Sequence, residues 1–258
     1  MSKSLRDINN LEGISGLLGW DEMVMLPPGS SGSRGAQKET LAGVLYDKKA
    51  DSEFGALLNQ LAADSTLDKV QAANVRIANA DHQRLVRVPK ELVQEQAKLE
   101  TDAYNAWVAA RTASDYSKFS GVLQAWVDSK KKEAEYIEPG GHTYDTLLYS
   151  FEKGMSSARL DEIFEEVKAG LVPLISDIKN KGSAPSRDCL DGKYSVDAQA
   201  KMCKDIALDL GFDIEKGRLD VSVHPFSKYT SLHSLVSLQF AVLCVLSCLL
   251  AFQVCWCA

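Results

Sequence analysis

Basic runs are scarce in this 258-residue chain, and none is longer than Lys130-Lys131-Lys132. With a formal net charge of −6, that scarcity argues against nucleic-acid binding, which relies on Lys and Arg to neutralise phosphate. The lysine run itself reads as a solvated helix face. The opening segment MSKSLRDINN has no apolar core of a signal peptide and no Arg-rich transit character, so an intracellular, cytoplasmic location is expected. Cysteine is sparse before the end of the chain. Cys189 and Cys203 stand alone, while Cys244, Cys248, Cys255 and Cys257 crowd the last fifteen residues. That distribution is not a disulfide framework, which spreads cysteines through the chain. No internal repeat and no Gly/Ser linker is found, so no domain boundary is expected before Lys228. After Lys228, Lys, Arg, Asp and Glu are missing altogether.

Apolar residues make up 45% and charged residues 25% of the chain, enough to bury a core. Leu5, Ile8, Leu11, Ile14, Leu17 and Leu18 stand near helical spacing and predict an amphipathic helix running toward Trp20. Pro27-Pro28-Gly29 must break it, because proline lacks a donor and clashes with the preceding turn. Ser30 to Ser33 offer N-caps for a helix carrying Arg34, Gln37, Leu41 and Leu45. Short helices are expected around Glu53–Ala63 and Leu67–Val86.

Pro89 marks the start of the next helix, which runs to about Thr112. Asp115 can cap a helix carrying Phe119, Val122, Leu123, Trp126 and Val127, closed by Pro139-Gly140-Gly141. Ser156 and Ser157 precede another, with Leu160, Ile163, Phe164, Val167, Leu171, Leu174 and Ile175, in which Pro173 can introduce a kink. Lys181-Gly182 is its stop. Ser195 can cap a last helix closed by Gly211. One strand is expected, at 218–223, where polar and apolar residues alternate. The fold class is all-α: a helical array, one short strand near 218–223 and an apolar C-terminal helix.

Three stretches, in order, carry a resemblance. They are LLGWDEMVMLPPGSSGSRGAQ (17–37), YDTLLYSFEKGMSSARLDEIF (144–164) and GFDIEKGRLDVSVHPF (211–226). Their Trp-Asp and Arg-x-x-Gln, Tyr-Asp-x-Leu-Leu and Glu-x-Gly-Met, and His-Pro-Phe patterns resemble the M32 (Taq-type) metallocarboxypeptidases. Leu26-Pro27 stands where that family has Met-Pro. The resemblance implies a helical fold with a long groove and metal-dependent release of C-terminal amino acids from peptides. It also implies zinc or another divalent ion, and a homodimer. His224, Pro225 and Phe226 are the matching substrate-groove residues.

The family holds its ion with His-Glu-x-x-His, in which two imidazoles share one helix face and the Glu acts as base on metal-bound water. This chain has four histidines, followed as HQRLV (His82), HTYDT (His142), HPFSK (His224) and HSLVS (His233). None fits that pattern, and the family's Asp-x-Arg-x-Thr segment is also missing. Residues 1–226 therefore read as the N-terminal part of an M32-like domain. Residues 227–258 read as an unrelated apolar tail, translated non-coding sequence or a membrane segment at 232–252. The expected chain lacks metal ligands and catalytic residues. It is inactive alone, a non-catalytic partner of a full-length homologue, or a tail-anchored membrane protein.

Other residues have plainer readings. Trp20 and Asp21 suit a core position and a helix-end polar contact, and Trp107 and Trp126 suit core positions on helix faces. Tyr144 and Asp145 invite an acid/base role, but Asp145 suits a cap better. Glu162, Glu165 and Glu166 suit a solvated face.

Overall fold

The computed structural model describes residues 2–186, 188 and 192–223, and these residues form helices and connections without a strand. α1 (Ser2–Val24) carries the first apolar stripe. It ends where Pro27 has no amide to offer, and the N–H groups of Met25 and Leu26 both donate to the Asp21 carbonyl, at 2.9 and 2.8 Å. A short 3₁₀ turn, Pro28–Ser30, leads into α2 (Ser31–Lys49). The Asp51 side chain accepts the Phe54 N–H at 2.7 Å and starts α3 (Ser52–Ala62). Asp68 and Gln71 form a reciprocal capping box at α4 (Lys69–Leu85).

α5 (Lys90–Ala113) follows Pro89, which sits at the N-cap. α6 (Ser117–Ile137) begins beside Asp115, whose Oδ1 accepts the Ser117 N–H at 3.0 Å. After the short α7 (Thr143–Leu148) comes α8 (Ser157–Lys181), capped by Ser156. α8 continues through Pro173, although that ring withdraws one ladder donor. α9 (Val196–Asp209) is capped by Ser195. It closes on Gly211 at φ +85°, with Gly211 N–H donating to Leu208 O and Phe212 N–H to Ala207 O, each at 2.9 Å. That is a Schellman stop, and buried Phe212 packs on Ala207 across it.

The body of the molecule is α2 on α5, α5 on α6, α1 on α2 and α3 on α4. Ile8, Phe54 and Leu58 form one apolar cluster, and Val88, Leu92 and Ile137 another. Polar ties fix these helices to one another. The Tyr46 hydroxyl donates to the Val88 carbonyl at 2.8 Å, and Arg87 Nη1 to the Ile137 carbonyl at 2.7 Å. Gly55 permits the closest approach, because a Cβ there would run into the buried His82 ring.

The stretch 218–223 corrects one expectation: it forms no strand. Its alternating pattern needs a neighbouring strand to take up its amides, and the described residues supply none. Bonds from the Trp20, Arg111 and Arg218 side chains hold it instead. The C-terminal apolar helix was expected within 227–258, which lies outside the described residues. Among the described residues, no helix is long and apolar enough to cross a membrane.

Candidate functional site

The first motif folds onto itself across the α1–α2 corner. Arg34, 9% exposed, points back from α2. Its Nε donates to Gln37 Oε1 at 3.0 Å, Nη1 to the Leu18 carbonyl at 2.6 Å and Nη2 to Asp21 Oδ2 at 2.5 Å. A planar guanidinium can serve three acceptors in one plane, and Arg-x-x-Gln puts Arg34 and Gln37 one helical turn apart. Asp21 thus makes the helix-end polar contact expected of it. Trp20 is half-buried rather than core. Its indole N–H donates to Asp220 Oδ2 at 3.2 Å, 200 residues away.

That bond joins the first motif to the third. Arg218 also holds Asp220, through Nε at 3.2 Å and Nη2 at 3.0 Å, and its guanidinium stacks 5.3 Å from the Trp20 ring centroid. Hydrogen bonds from Arg218 keep the Asp220 carboxyl below the usual carboxylate range; partial burial opposes this, and the Trp20 donor adds to it. Three residues on, Arg111 Nη1 at the end of α5 donates to the Val223 carbonyl at 3.3 Å. The segment leading to His224 is thereby tied to α1 and α5. His224, Pro225 and Phe226 themselves lie outside the described residues.

The second motif joins α7 to α8. Asp145 Oδ1 accepts the Ser157 N–H at 2.9 Å and fixes the start of α8. The hydrogen bonding at Ser157 is the main reason its carboxyl is held low, with His142 adding to the effect. Tyr144 is exposed. Thr146 is buried and donates to Glu138 Oε2 at 3.0 Å, while its carbonyl accepts Arg84 Nη2 at 2.5 Å. Glu162 and Glu165 pair with Arg159 and Lys168 on the exposed face of α8, as solvated charges do.

Periodicity did not single out the buried Glu22, which receives Lys38 Nζ at 3.0 Å; Lys38 also meets Glu100 at 3.2 Å. Its pairing with Lys38 depends on a tertiary contact between α1 and α2. Beside it, burial first and the Glu22 charge second push the Tyr104 hydroxyl upward. Trp107 and Trp126, expected in the core, are half-buried. With Tyr104, Phe119 and Leu123 they line an open apolar cleft of about 400 Å³ between α5 and α6. Arg111 lies 5.4 Å from the Trp107 ring and Lys130 5.1 Å from the Trp126 ring, so each indole already carries a cation.

Fold and contacts together define an all-α scaffold whose first and third motifs meet at a polar junction. The chain belongs to the carboxypeptidase Taq (M32) metallopeptidase family, whose pattern matches residues 1–234. It is 31% identical over 235 residues to Thermostable carboxypeptidase 1 of Thermus thermophilus, covering 86% of this chain and 46% of that protein. Carboxypeptidase 1 of Bacillus subtilis is 26% identical over 225 residues, covering 86% and 45%. Among solved structures, the crystal structure of BsuCP is similar with a TM-score of 0.81 at 25% identity, over 88% of this chain and 46% of that one. Trypanosoma cruzi metallocarboxypeptidase 1 is similar with a TM-score of 0.66 at 27% identity, over 87% and 46%. The chain spans about half the length of the curated relatives it matches.

Membership of a metallopeptidase family implies a divalent ion in the intact fold. The described residues do not fit one. The buried His82 has Nδ1 2.7 Å from the Lys49 carbonyl, which can only accept, so Nδ1 carries the proton. His142 uses its ring nitrogen to cap α7, accepting the Asp145 N–H at 3.3 Å. Among the described residues, no group of three His, Cys, Asp or Glu side chains is gathered to hold an ion.

Proposed function

We propose that this chain is the N-terminal half of an M32 metallocarboxypeptidase and has no peptidase activity alone. The intact fold releases C-terminal amino acids from peptides with a divalent ion, zinc in this reading. The observation that carries the proposal is a mismatch of extent and content. The family pattern covers residues 1–234, yet His-Glu-x-x-His occurs nowhere in the sequence. Without two imidazoles and a carboxylate at that spacing, the ion has no seat and its water no base.

In this reading residues 1–226 supply scaffold, and His224, Pro225 and Phe226 supply one wall of the peptide groove. The Trp20–Asp220 and Arg111–Val223 bonds support that role, since they fix the chain entering the His-Pro-Phe segment. Residues 227–258, of which 227–234 fall inside the family match, are read as an apolar tail that carries none of the family's metal ligands. The test is an assay of the purified chain on a short peptide with Zn²⁺ or Co²⁺. No C-terminal residue is expected to be released, and metal-dependent trimming that a chelator abolishes would overturn the proposal.

A further inference from the structure

α8 carries an apolar seam that the described residues leave open. Leu160, Phe164, Val167, Leu171, Leu174 and Ile178 recur at alternating intervals of four and three along one side of the helix. No charged residue interrupts the seam. Phe164, Val167, Leu171, Leu174 and Ile178 are between 47% and 61% exposed, and no residue of α8 is buried. The charges off the seam are satisfied within the helix, where Arg159 pairs with Glu162, Lys168 with Glu165 and Lys181 with Asp177. What remains unmet on α8 is apolar, and it asks for an apolar cover.

A matching pattern occurs once more, in the sequence of the tail. Leu235, Leu238, Val242, Val245, Leu249 and Phe252 recur at alternating intervals of three and four. Ser234, Ser237, Gln239, Ser247 and Gln253 all fall off that line. At 1.5 Å per residue the α8 seam is about 27 Å long, and the tail pattern drawn as a helix is about 26 Å. Each contributes six apolar side chains, so the two seams agree in period and in length. The family match ends at residue 234, so α8 lies inside it and the tail pattern outside.

We propose that residues 235–252 fold back as a helix and cover the α8 seam of the same chain. The occupant is a segment of this chain that the family pattern does not include, packed knobs-into-holes on a helix that the pattern does include. Residues 224–234 tether it, and Arg111 holds the start of that tether through the Val223 carbonyl. A tether this short keeps the tail near α8 at about millimolar effective concentration. Pairing of α8 with a second chain's α8 competes poorly with that at micromolar protein. The tail thus acts as an internal cover, and the covered chain stays monomeric.

The test uses the full 258-residue chain under reducing conditions, with light scattering for mass and hydrogen exchange for coverage. A monomer is expected. Val242→Asp with Val245→Asp should speed exchange of the α8 amides between 164 and 178 at least tenfold and leave α2 and α5 unchanged. Ser237→Asp, off the seam, should leave α8 exchange as it was. Leu171→Glu should act from the other side and speed exchange in 238–249, with far-ultraviolet dichroism of the α1–α6 body retained. Exchange in α8 that ignores the tail substitutions overturns the proposal. So does a dimer that Val242→Asp with Val245→Asp dissociates, since the cover would then come from a second copy. Flotation with phosphatidylcholine vesicles that the same substitutions abolish also overturns it, because the tail would then lie in a bilayer. These readouts follow α8 and the tail alone, so they stand or fall apart from any assay of peptide cleavage.

Discussion

Arg34 holds three acceptors at once, and its replacement leaves each of them short. With the guanidinium gone, Asp21 loses its cation, and Gln37 and the Leu18 carbonyl lose their donor. Arg34→Ala is expected to destabilise the chain by about 2–4 kcal/mol, read as a lower urea midpoint. Arg34→Lys should recover only part of that, since an ammonium cannot span the three sites. Asp220 gives a pH dependence of definite sign. Its carboxyl is held low in the folded chain, so the stabilisation is complete above the unfolded value and fades as pH falls through the folded one. Tryptophan fluorescence should report release of the 218–223 strap below about pH 4, with a folded midpoint under the ordinary carboxylate value. Asp220→Asn should abolish that acid-linked step, and a step that survives the substitution would assign it to another group.

At the scale of the helix, tolerance depends on how closely two elements approach. Gly55 on α3 faces the His82 ring of α4, which is held by the Lys49 carbonyl and packs edge-on to Phe54 at 6.0 Å. That ring cannot swing aside freely. Gly55→Ala should therefore cost about 1–3 kcal/mol despite its gain in helix propensity, and thermal melting checks it. Elements were the most legible part of the sequence. Ser156, Ser195 and Pro89 announced their helix starts because a cap acts within a few residues, and Gly211 announced a stop for the same reason. The strand at 218–223 was misread because alternation is local and a ladder is not. The site was legible only in part. Trp-Asp and Arg-x-x-Gln were visible as motifs, but the Trp20–Asp220 bond and the Glu22–Lys38 pair join positions far apart in sequence, and no local pattern reports them.

The whole molecule is uneven. α1 to α6 bury apolar clusters, whereas α8 buries none of its residues. Covering a half-exposed apolar side chain such as Leu171 or Leu174 contributes about 1 kcal/mol, so α8 as described leaves that stabilisation unrealised. The family match spans somewhat less than half the length of each relative, 46% and 45%. Under the proposed function, this chain by itself holds no zinc. Elemental analysis after equilibrium dialysis against zinc, with Cys244, Cys248, Cys255 and Cys257 changed to Ser to remove thiolate binding, reads it directly. Far less than one zinc per chain is predicted, and one tightly held zinc per chain would contradict the account.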